Sequence, residues 1–457
     1  MKCWKENEFG EPKFPSTFEI VKKAVLQVTD IKTNRNKYYA VELHSAKSKF
    51  RVYTHYGRTD DLDSNPDAGI RESRYCSSLS EAESIYNKIF SEKTSARKGY
   101  KEINLASSKI GSKKSFGQSS GDIDEKTLKK LSEKSDVKIP VITIAKPVQD
   151  LVSLLYLEAT NALKSTVNVN ITANGIETPL GVLTIGQIDK GQEILDQIAS
   201  FLSKKKKNDL VDLSGEFYTC IPHKFGRSRD AAADAVIDSS KKLNDKQDTL
   251  QLMRDMLNVN GSANVLLNPE IEKKYQALNC GITCLDKKSD EFKKIQTYIN
   301  KEKHHGNKIL NIFTISRDIE EKEFTTTIKN NKLLFHGSNA KNWVGILSRG
   351  ILLPKTVVKL GVHRTDSGWL GHGIYFGDVI STSSGYAGPS KKGSSYVALT
   401  EVALGNIKKY TKVTPGLVKP PDGYDSCHGV SGTEFHEDEF VIYNTNQQKL
   451  KYLIECE

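Results

Sequence analysis

Hydrophobic side chains between residues 37 and 56 recur at every second position. Tyr39, Val41 and Leu43 form one alternating run, and Val52 and Tyr56 belong to a second run that follows a short polar connection. Alternation of this kind is typical of half-buried strands, and two such runs across a polar turn predict a β-hairpin.

The spacing becomes helical after this hairpin. Apolar residues now recur three and four positions apart, at Ala82, Ile85, Tyr86, Ile89 and Phe90. Ser80 and Glu83 match a capping box, which predicts that the helix begins there. Residues 18–105 are therefore predicted to form a small α+β domain.

Residues 106–140 differ from the sequence on either side. They are dense in Ser, Lys, Gly and Asp and nearly lack large apolar side chains. A segment of this composition cannot bury a core of its own, so we predict a flexible linker.

Helical periodicity dominates residues 141–262. Pro147 suits the first position of a helix, and apolar residues follow it at helical spacing. A second helix is predicted from Thr184, with Gln187 three places on, and a third over residues 238–257. Because strand signals are scarce here, we predict an all-α bundle.

Short apolar runs alternate with Gly-rich turns from residue 263 to residue 457. Several of these runs have the composition of strands, namely residues 309–315, 332–335, 373–376, 395–404, 439–443 and 449–454. Many short strands with few long helices predict a mixed, largely β domain with a cleft.

The net charge and the cysteines narrow the possible binding partners and the cellular compartment. The formal net charge of +11 is compatible with binding a polyanion, because clustered Lys and Arg displace counterions from phosphates. The seven cysteines are scattered apart from Cys280 and Cys284, so reduced thiols inside a cell are expected. Residues 1–15 lack the pattern of a secretory signal, and no apolar run is long enough to cross a bilayer, so we expect no membrane partner.

Three short clusters in the last domain combine reactive side chains with strand-like runs. They are residues 333–338 (LLFHGS), 371–376 (GHGIYF) and 438–443 (DEFVIY). Taken singly, each has a simple structural interpretation, such as a packed His at a strand end or a solvated acidic loop. A GxGxxG fingerprint after a strand is absent, which argues against a dehydrogenase.

Taken together and in this order, the clusters resemble the poly(ADP-ribose) polymerase family. His336 matches its HGS motif, Tyr375 its GIYF motif, and Glu439 the acidic residue that heads its last motif strand. The resemblance implies a mixed α/β ADP-ribosyltransferase domain with a split β-sheet core. It also implies that NAD⁺ is consumed as a substrate and that no metal is needed.

Further residues gain an implied role in binding NAD⁺. Gly337 and Ser338 follow the motif histidine, and the backbone of Gly337 would pair with the carboxamide of nicotinamide. Ser383 would add a hydroxyl hydrogen bond to that group, and Tyr375 and Tyr386 would enclose the flat ring between aromatic faces.

The implied catalytic set is His336, Tyr375 and Glu439. His336 would bond the hydroxyl of the adenine ribose. Glu439 would stabilise the positive charge that builds on the nicotinamide ribose when its glycosidic bond breaks, because a nearby carboxylate lowers that barrier. The same carboxylate would help to activate the acceptor hydroxyl, which favours polymer formation.

The two preceding domains also resemble parts of DNA-dependent members. Residues 146–151 (KPVQDL) and 217–223 (FYTCIPH) resemble a helical regulatory domain, whose implied task is to restrain NAD⁺ entry until DNA is sensed. The N-terminal module resembles a WGR domain, with Tyr56 in place of the tryptophan and Arg58 retained. Tyr56 and Arg58 are thereby implied in contact with DNA or with another domain.

The predicted architecture is a multidomain α+β protein: a WGR-like module (18–105), a linker (106–140), a regulatory bundle (141–262) and a catalytic domain (263–457). The implied enzyme releases nicotinamide from NAD⁺ and builds ADP-ribose chains on itself and other proteins, stimulated by DNA with strand breaks. It would work in the nucleus of a eukaryote or the cytoplasm of a bacterium. Two alternatives stay open, a mono-ADP-ribosyltransferase and an inactive protein that binds DNA strand breaks.

Overall fold

The computed structural model describes residues 2–121, 144–167, 169–172, 175–203, 207–223, 229–259, 271–300, 308–353 and 368–457. The chain divides into two compact units. One comprises Met1–Val137 with Leu163–Leu267, and the other comprises Lys138–Ala162 with Asn268–Glu457.

A six-stranded antiparallel sheet opens the first unit, in the order β1-β5-β4-β3-β2-β6. Its strands are β1 (Trp4–Lys5), β2 (Glu19–Asp30), β3 (Arg35–Ala46), β4 (Lys49–Arg58), β5 (Ile70–Cys76) and β6 (Lys101–Glu102). The predicted hairpin is confirmed, because β3 pairs with β4 in a register that places Tyr39 opposite Tyr56. Two helices accompany the sheet, α1 (Asp61–Ser64) and α2 (Leu79–Thr94).

Helix α2 begins earlier than the sequence pattern suggested. Its N-cap is Ser78, whose hydroxyl accepts from the backbone N–H of Glu81 at 3.2 Å. Glu81 in turn accepts from the backbone N–H of Ser77 at 2.8 Å. The S-x-x-E pattern occurs twice in succession here, so the predicted pair Ser80 and Glu83 was wrong. Ser78 caps the helix two residues before the predicted N-cap, and Ala82 in the first turn is buried against the sheet.

The first part of the predicted linker is folded. Strand β7 (Leu105–Ser108) pairs with a strand from the helical segment, and residues 113–115 form a 3₁₀ turn. Ser112 donates from its backbone and its hydroxyl to the buried carboxylate of Glu42. Composition failed as a guide because these small polar residues are satisfied by buried partners rather than by water. Residues 122–140 of the predicted linker lie outside the described residues.

The predicted helices of the next segment are present. They are α3 (Lys146–Val167), α4 (Ile185–Ser203), α5 (Lys207–Cys220), α6 (Arg229–Asp234) and α7 (Ser240–Val259). The Thr184 hydroxyl accepts from the backbone N–H of Gln187 at 3.1 Å, as the capping pattern predicted. Three short strands interrupt the helices and complete the sheet β7-β10-β9-β8, namely β8 (Asn170–Thr172), β9 (Gly175–Thr178) and β10 (Gly181–Leu183).

The second unit contains a sheet of nine strands among its described residues, in the order β11-β12-β19-β15-β13-β14-β18-β17-β16. The strands are β11 (Gly281–Cys284), β12 (Ile309–Ser316), β13 (Asn331–Gly337), β14 (Ile374–Gly377), β15 (Ser395–Ala403), β16 (Ile407–Tyr410), β17 (Ser426–Gly429), β18 (Glu439–Ile442) and β19 (Gln448–Cys456). Its helices are α8 (Ile271–Ala277), α9 (Asp290–Ile299), α10 (Asp318–Glu323), α11 (Trp343–Arg349) and α12 (Ile380–Ala387). The six strands predicted for this domain are confirmed.

The nine-stranded sheet is nearly divided in two. Strands β13 and β14 face each other through the single pair Phe335 and Gly377, whereas β13 pairs with β15 over seven residues. This junction, called the seam below, is the split expected of the core. Phe335 is 1% exposed and packs with Ile380 of α12. The apolar core therefore covers one face of the seam.

Candidate active site

The predicted catalytic residues come from three neighbouring strands. His336 lies near the end of β13, Tyr375 in β14 and Glu439 at the start of β18, and these strands are adjacent in the sheet. Because β14 and β18 pair antiparallel with Gly377 opposite Glu439, the carboxylate is brought to the seam. The structure therefore brings together three residues that are far apart in the sequence.

His336 spans the seam by a hydrogen bond. Its Nδ1 lies 2.9 Å from the carbonyl oxygen of Tyr375. A carbonyl oxygen can only accept, so Nδ1 carries the proton. Burial lowers the pKa of His336 below its ordinary value, which keeps the ring neutral and leaves Nε2 as an acceptor.

The ring of Tyr375 is held by the backbone around it. Its hydroxyl donates to the carbonyl of Gly371 at 2.7 Å and accepts from the N–H of Leu370 at 3.0 Å. A Cβ on Gly368 would come 2.0 Å from a ring carbon of Tyr375, so this position requires glycine. Burial raises the pKa of the phenol, which is therefore neutral. These contacts fix the plane of the ring.

Glu439 is partly buried and carries a raised pKa. Burial is the larger cause, and the negative charge of Glu437 is the second. Glu437 accepts a hydrogen bond from the Ser381 hydroxyl at 2.9 Å. The sequence analysis assigned no role to Glu437, which is one of several acidic residues just before the last motif strand. Its position two residues before the motif glutamate was the available signal.

Gly337 lies directly against helix α12. A Cβ at this position would come 1.7 Å from the carbonyl oxygen of Ser383, a distance that no side chain tolerates. Ser383 is 4% exposed, whereas Tyr386, one turn further along the helix, is 72% exposed. The structure thus gathers a bare glycine backbone, a buried serine and an exposed aromatic ring beside β13.

Ser338 is engaged within its own loop. Its hydroxyl accepts from the Asn342 side-chain amide at 3.1 Å, and its carbonyl accepts from Trp343 Nε1 at 3.0 Å. Trp343 is fully buried. These contacts fix the turn that follows His336.

The other two predicted site residues belong to the first unit. Tyr56 stacks on Tyr39 with ring centroids 5.2 Å apart and an interplanar angle of 10°. Arg58 pairs with Asp60 at 2.8 Å and donates to the carbonyl of Asn34 at 2.9 Å. Tyr56 is therefore packed against the sheet, and Arg58 is fixed at the end of β4.

A basic cavity adjoins this end of the sheet. Lys37, which lines it, faces Arg58 in the β3–β4 register. The cavity has a volume of about 390 Å³ and is lined by Arg35, Lys37, Lys93, Arg97, Lys98 and Tyr100. Glu92 lies within 4.0 Å of Lys93 and Lys98, so part of the charge is offset. Sequence reasoning missed this cavity because its two halves are separated by most of the domain.

The described part of the chain contains neither a cluster of metal-binding side chains nor a membrane-spanning helix. Within it, no three His, Cys, Asp or Glu side chains are grouped as a metal ion would require. None of the helices traced there is both long and apolar enough to cross a bilayer.

Three family models match the chain. The poly(ADP-ribose) polymerase catalytic domain matches residues 289–457, the regulatory domain of the same family matches residues 143–266, and the WGR domain matches residues 22–107. The matches follow the order of the domains predicted from the sequence.

The similar proteins fall into two groups, according to how much of their own length the alignment with this chain covers. The chain is 37% identical over 320 residues to protein mono-ADP-ribosyltransferase PARP4 of Mus musculus, an alignment that covers 68% of this chain and 15% of the relative. It is 28% identical over 483 residues to poly [ADP-ribose] polymerase 2 of Homo sapiens, covering 95% of this chain and 79% of the relative. Protein mono-ADP-ribosyltransferase PARP3 of Mus musculus is 27% identical over 496 residues, covering 94% and 87%.

The chain thus spans a small part of the PARP4 proteins and most of the other two relatives. The alignments with the latter two relatives cover 95% and 94% of this chain and so include all three domains. The chain belongs to the poly(ADP-ribose) polymerase family and carries the WGR, regulatory and catalytic domains of that family.

Proposed function

We propose that this protein is an NAD⁺ ADP-ribosyltransferase that cleaves NAD⁺, releases nicotinamide and builds ADP-ribose chains on itself and on other proteins. The observation that carries the proposal is the convergence of His336, Tyr375 and Glu439 from three adjacent strands. Family membership supports the same activity.

The groups beside β13 suit the nicotinamide half of the substrate. A carboxamide both donates and accepts, and the backbone of Gly337 offers one N–H and one C=O with no side chain in the way. Ser383 supplies a hydroxyl in a buried setting, and Tyr375 presents a ring whose plane is already fixed. Tyr386, at 72% exposure, is available to close over the other face of a flat ring.

His336 suits a ribose hydroxyl. With the proton on Nδ1 held by the carbonyl of Tyr375, the free lone pair of Nε2 can accept from an alcohol. Because the ring is anchored at one nitrogen, its orientation is set before the substrate arrives, and less entropy is lost on binding.

Glu439 supplies the catalytic charge. As the bond from C1′ of the nicotinamide ribose to nitrogen breaks, its electron pair leaves with nicotinamide and positive charge builds on the sugar. A partly buried carboxylate stabilises that charge more strongly than one in water would. The acceptor oxygen then bonds to C1′ and its proton passes to a base, for which Glu439 is the proposed carboxylate.

DNA with strand breaks is the proposed activator. The cavity of five cations and one tyrosine offers phosphate groups a concave basic site, and Arg58 lies opposite one of its lysines. Arg58 and Tyr56 belong to the same unit as this cavity, and Tyr56 pairs with Tyr39, two residues from Lys37 on β3. A DNA-stimulated enzyme would work in the nucleus if the source is eukaryotic, or in the cytoplasm if it is bacterial.

A mono-ADP-ribosyltransferase is the second candidate. Two of the relatives named above carry that activity in their names, including the one with 37% identity. An inactive DNA-binding protein is less well supported, because His336, Tyr375 and Glu439 are all present and adjacent in the fold.

One experiment distinguishes these candidates. The purified chain is incubated with labelled NAD⁺, with and without nicked or blunt-ended DNA, and the products are resolved on a gel. A DNA-stimulated ladder on the protein itself is the expected result. A single discrete band would establish the mono-transferase, and the absence of label with NAD⁺ and DNA present would overturn the proposed activity.

A further inference from the structure

Glu437 lies two residues before Glu439 and contacts a different element. Its Oε1 accepts a hydrogen bond from the Ser381 hydroxyl at 2.9 Å. Ser381 belongs to helix α12, which also carries Ser383 and Tyr386. The bond therefore joins the segment that leads into β18 to the helix proposed to hold nicotinamide.

Asp438, between the two glutamates, is held on another side. Its carboxylate lies 2.6 Å from Nε2 of His428 on β17 and accepts from the backbone and hydroxyl of Ser431 at 3.0 and 3.1 Å. The His428 ring stacks on Phe440 with centroids 4.3 Å apart. The chain is thus tied to α12 at Glu437 and to β17 at Asp438 immediately before Glu439 begins its strand.

Glu437 also acts on Glu439 through its charge. After burial, this negative charge is the next cause of the raised pKa of Glu439. Other titratable groups in this region, among the described residues, include Tyr375 on β14, which feels the charges of Glu439, Cys427 and Tyr386, and His428 on β17, which is bonded to Asp438. Glu437 is therefore a negatively charged neighbour whose charge adds to the effect of burial on the pKa of Glu439.

We propose that Glu437 is a positioning residue for the transfer reaction, which holds Glu439 in fixed relation to the helix that carries Ser383 and Tyr386. This inference rests on the proposed transferase function. The distance between the substrate bound by α12 and the carboxylate of Glu439 is then held constant. A hydrogen bond to Ser381 sets the distance, and the charge of Glu437 sets the pH range over which Glu439 is ionised.

Three variants separate the hydrogen bond from the charge. Glu437→Ala removes both, Ser381→Ala removes the donor and keeps the charge, and Glu437→Gln keeps an acceptor oxygen for Ser381 and removes the charge. Ser384→Ala is the matched control, because this serine belongs to the same helix and bonds only back to the carbonyl of Ser381 at 3.0 Å among the contacts described for it. For each protein, kcat and KM for NAD⁺ are measured from pH 5 to 9, together with the melting temperature.

Glu437→Ala and Ser381→Ala are expected to lower kcat roughly 10- to 100-fold with little change in KM, since small displacements of a catalytic group have effects of this size. Glu437→Gln is expected to keep most of kcat at neutral pH. Its acidic limb moves to lower pH, because loss of a neighbouring negative charge lowers the pKa of Glu439 and the ionised form persists. Ser384→Ala is expected to match the wild type.

Other outcomes overturn the inference in distinguishable ways. If the wild type is active and the Glu437 and Ser381 variants share its kcat and its pH profile, Glu437 positions nothing. If all three variants lose kcat in proportion to a fall in melting temperature, with the pH profile of Glu437→Gln unmoved, the contact is merely structural. If the wild type consumes no NAD⁺ with DNA present, the proposed function fails and this inference fails with it.

Discussion

The side-chain amide of Asn36 donates to the carbonyl oxygen of His223 across 3.0 Å. The same amide lies 3.2 Å from the carboxylate of Asp60, which pairs with Arg58. A continuous set of contacts therefore connects the arginine beside the basic cavity to the segment that follows α5. All four residues belong to the first unit.

Asn36→Ala is expected to uncouple DNA binding from activity. Loss of the shared donor should reduce stimulation by DNA about 2- to 30-fold, the range of a coupling energy of about 0.5–2 kcal/mol, while activity without DNA changes little. The ratio of rates with and without nicked DNA measures it. Thr33→Ala serves as the control, since Thr33 is exposed and bonds only to Asp30 among the contacts described for it. If DNA stimulates Asn36→Ala as strongly as the wild type, the contacts made by Asn36 do not couple DNA binding to activity.

Glu439→Gln is expected to abolish chain formation and to lower the rate of NAD⁺ cleavage about 10²- to 10³-fold, because a neutral amide cannot stabilise positive charge on the ribose. NAD⁺ binding should fall much less. Labelled products on a gel and binding by calorimetry measure the two effects. Chains of wild-type length from this variant would show that the assigned role is wrong.

Gly337→Ala is expected to weaken NAD⁺ binding at least tenfold and to lower stability by about 1–3 kcal/mol, because the new methyl group would collide with the Ser383 carbonyl. Gly385→Ala is the matched control. A Cβ at Gly385 meets no atom within 4 Å, and alanine is favoured over glycine in a helix. Equal affinities in the two variants would separate Gly337 from the binding site.

Lys93→Ala and Lys37→Ala are expected to weaken binding of broken DNA roughly three- to tenfold each. The slope of log affinity against log salt should decrease by about one, because each lysine removed leaves one phosphate with its counterions. Fluorescence anisotropy with a nicked duplex at several salt concentrations measures both. Lys88→Ala is the control, as an exposed lysine of α2 that does not line the cavity. If all three variants weaken DNA binding equally, the overall positive charge of the domain attracts DNA and the cavity is not a specific site.

Acidification is expected to destabilise the first unit before most carboxylates titrate. Burial lowers the pKa of His55 to about 4 and that of His223 to about 3. Since the unfolded chain protonates histidine near pH 6.5, it binds more protons than the folded state below that pH, and stability falls as the pH drops. Each imidazole should cost about 1 kcal/mol at pH 5.5.

Melting temperatures at pH 7.0 and 5.5 test this expectation. Replacement of either histidine by glutamine should reduce the difference between the two temperatures, even if it lowers both. A difference that is unchanged in both variants would assign the acid sensitivity to other groups.

The strands and long helices could be predicted because each spans several periods of its pattern. The run of β3 and β4 contains enough alternating positions to specify a face, and Tyr39 does lie opposite Tyr56. Strands β8 to β10 have three or four residues each, too few for a period to be recognised. The N-cap of α2 was missed because two overlapping S-x-x-E patterns fit the sequence equally well, and only the structure shows that Ser78 caps the helix.

The candidate catalytic residues could be singled out from the sequence for a different reason. His336, Tyr375 and Glu439 each stand beside a recognisable apolar strand, so local sequence marks them. Glu437 and the basic cavity depend on contacts between distant segments, such as the one from Ser381 or those between β3 and the end of α2. Local sequence places Glu437 close to Glu439, but its contact with Ser381 and the grouping of the cations in the cavity are visible only in the fold.

The pairing of β7 with β10 constrains how the protein can be divided. The strand at the start of the predicted linker and the hairpin that follows the linker share one ladder. Gly181 packs so closely on Ser107 that a Cβ would come 2.0 Å from its carbonyl oxygen. A fragment that ends between residues 108 and 140 exposes an open edge, and a fragment that begins after it leaves the hairpin without its neighbour. During synthesis β7 cannot complete its ladder until β10 has been made, and we expect truncated proteins cut at this apparent boundary to aggregate more readily than the intact chain.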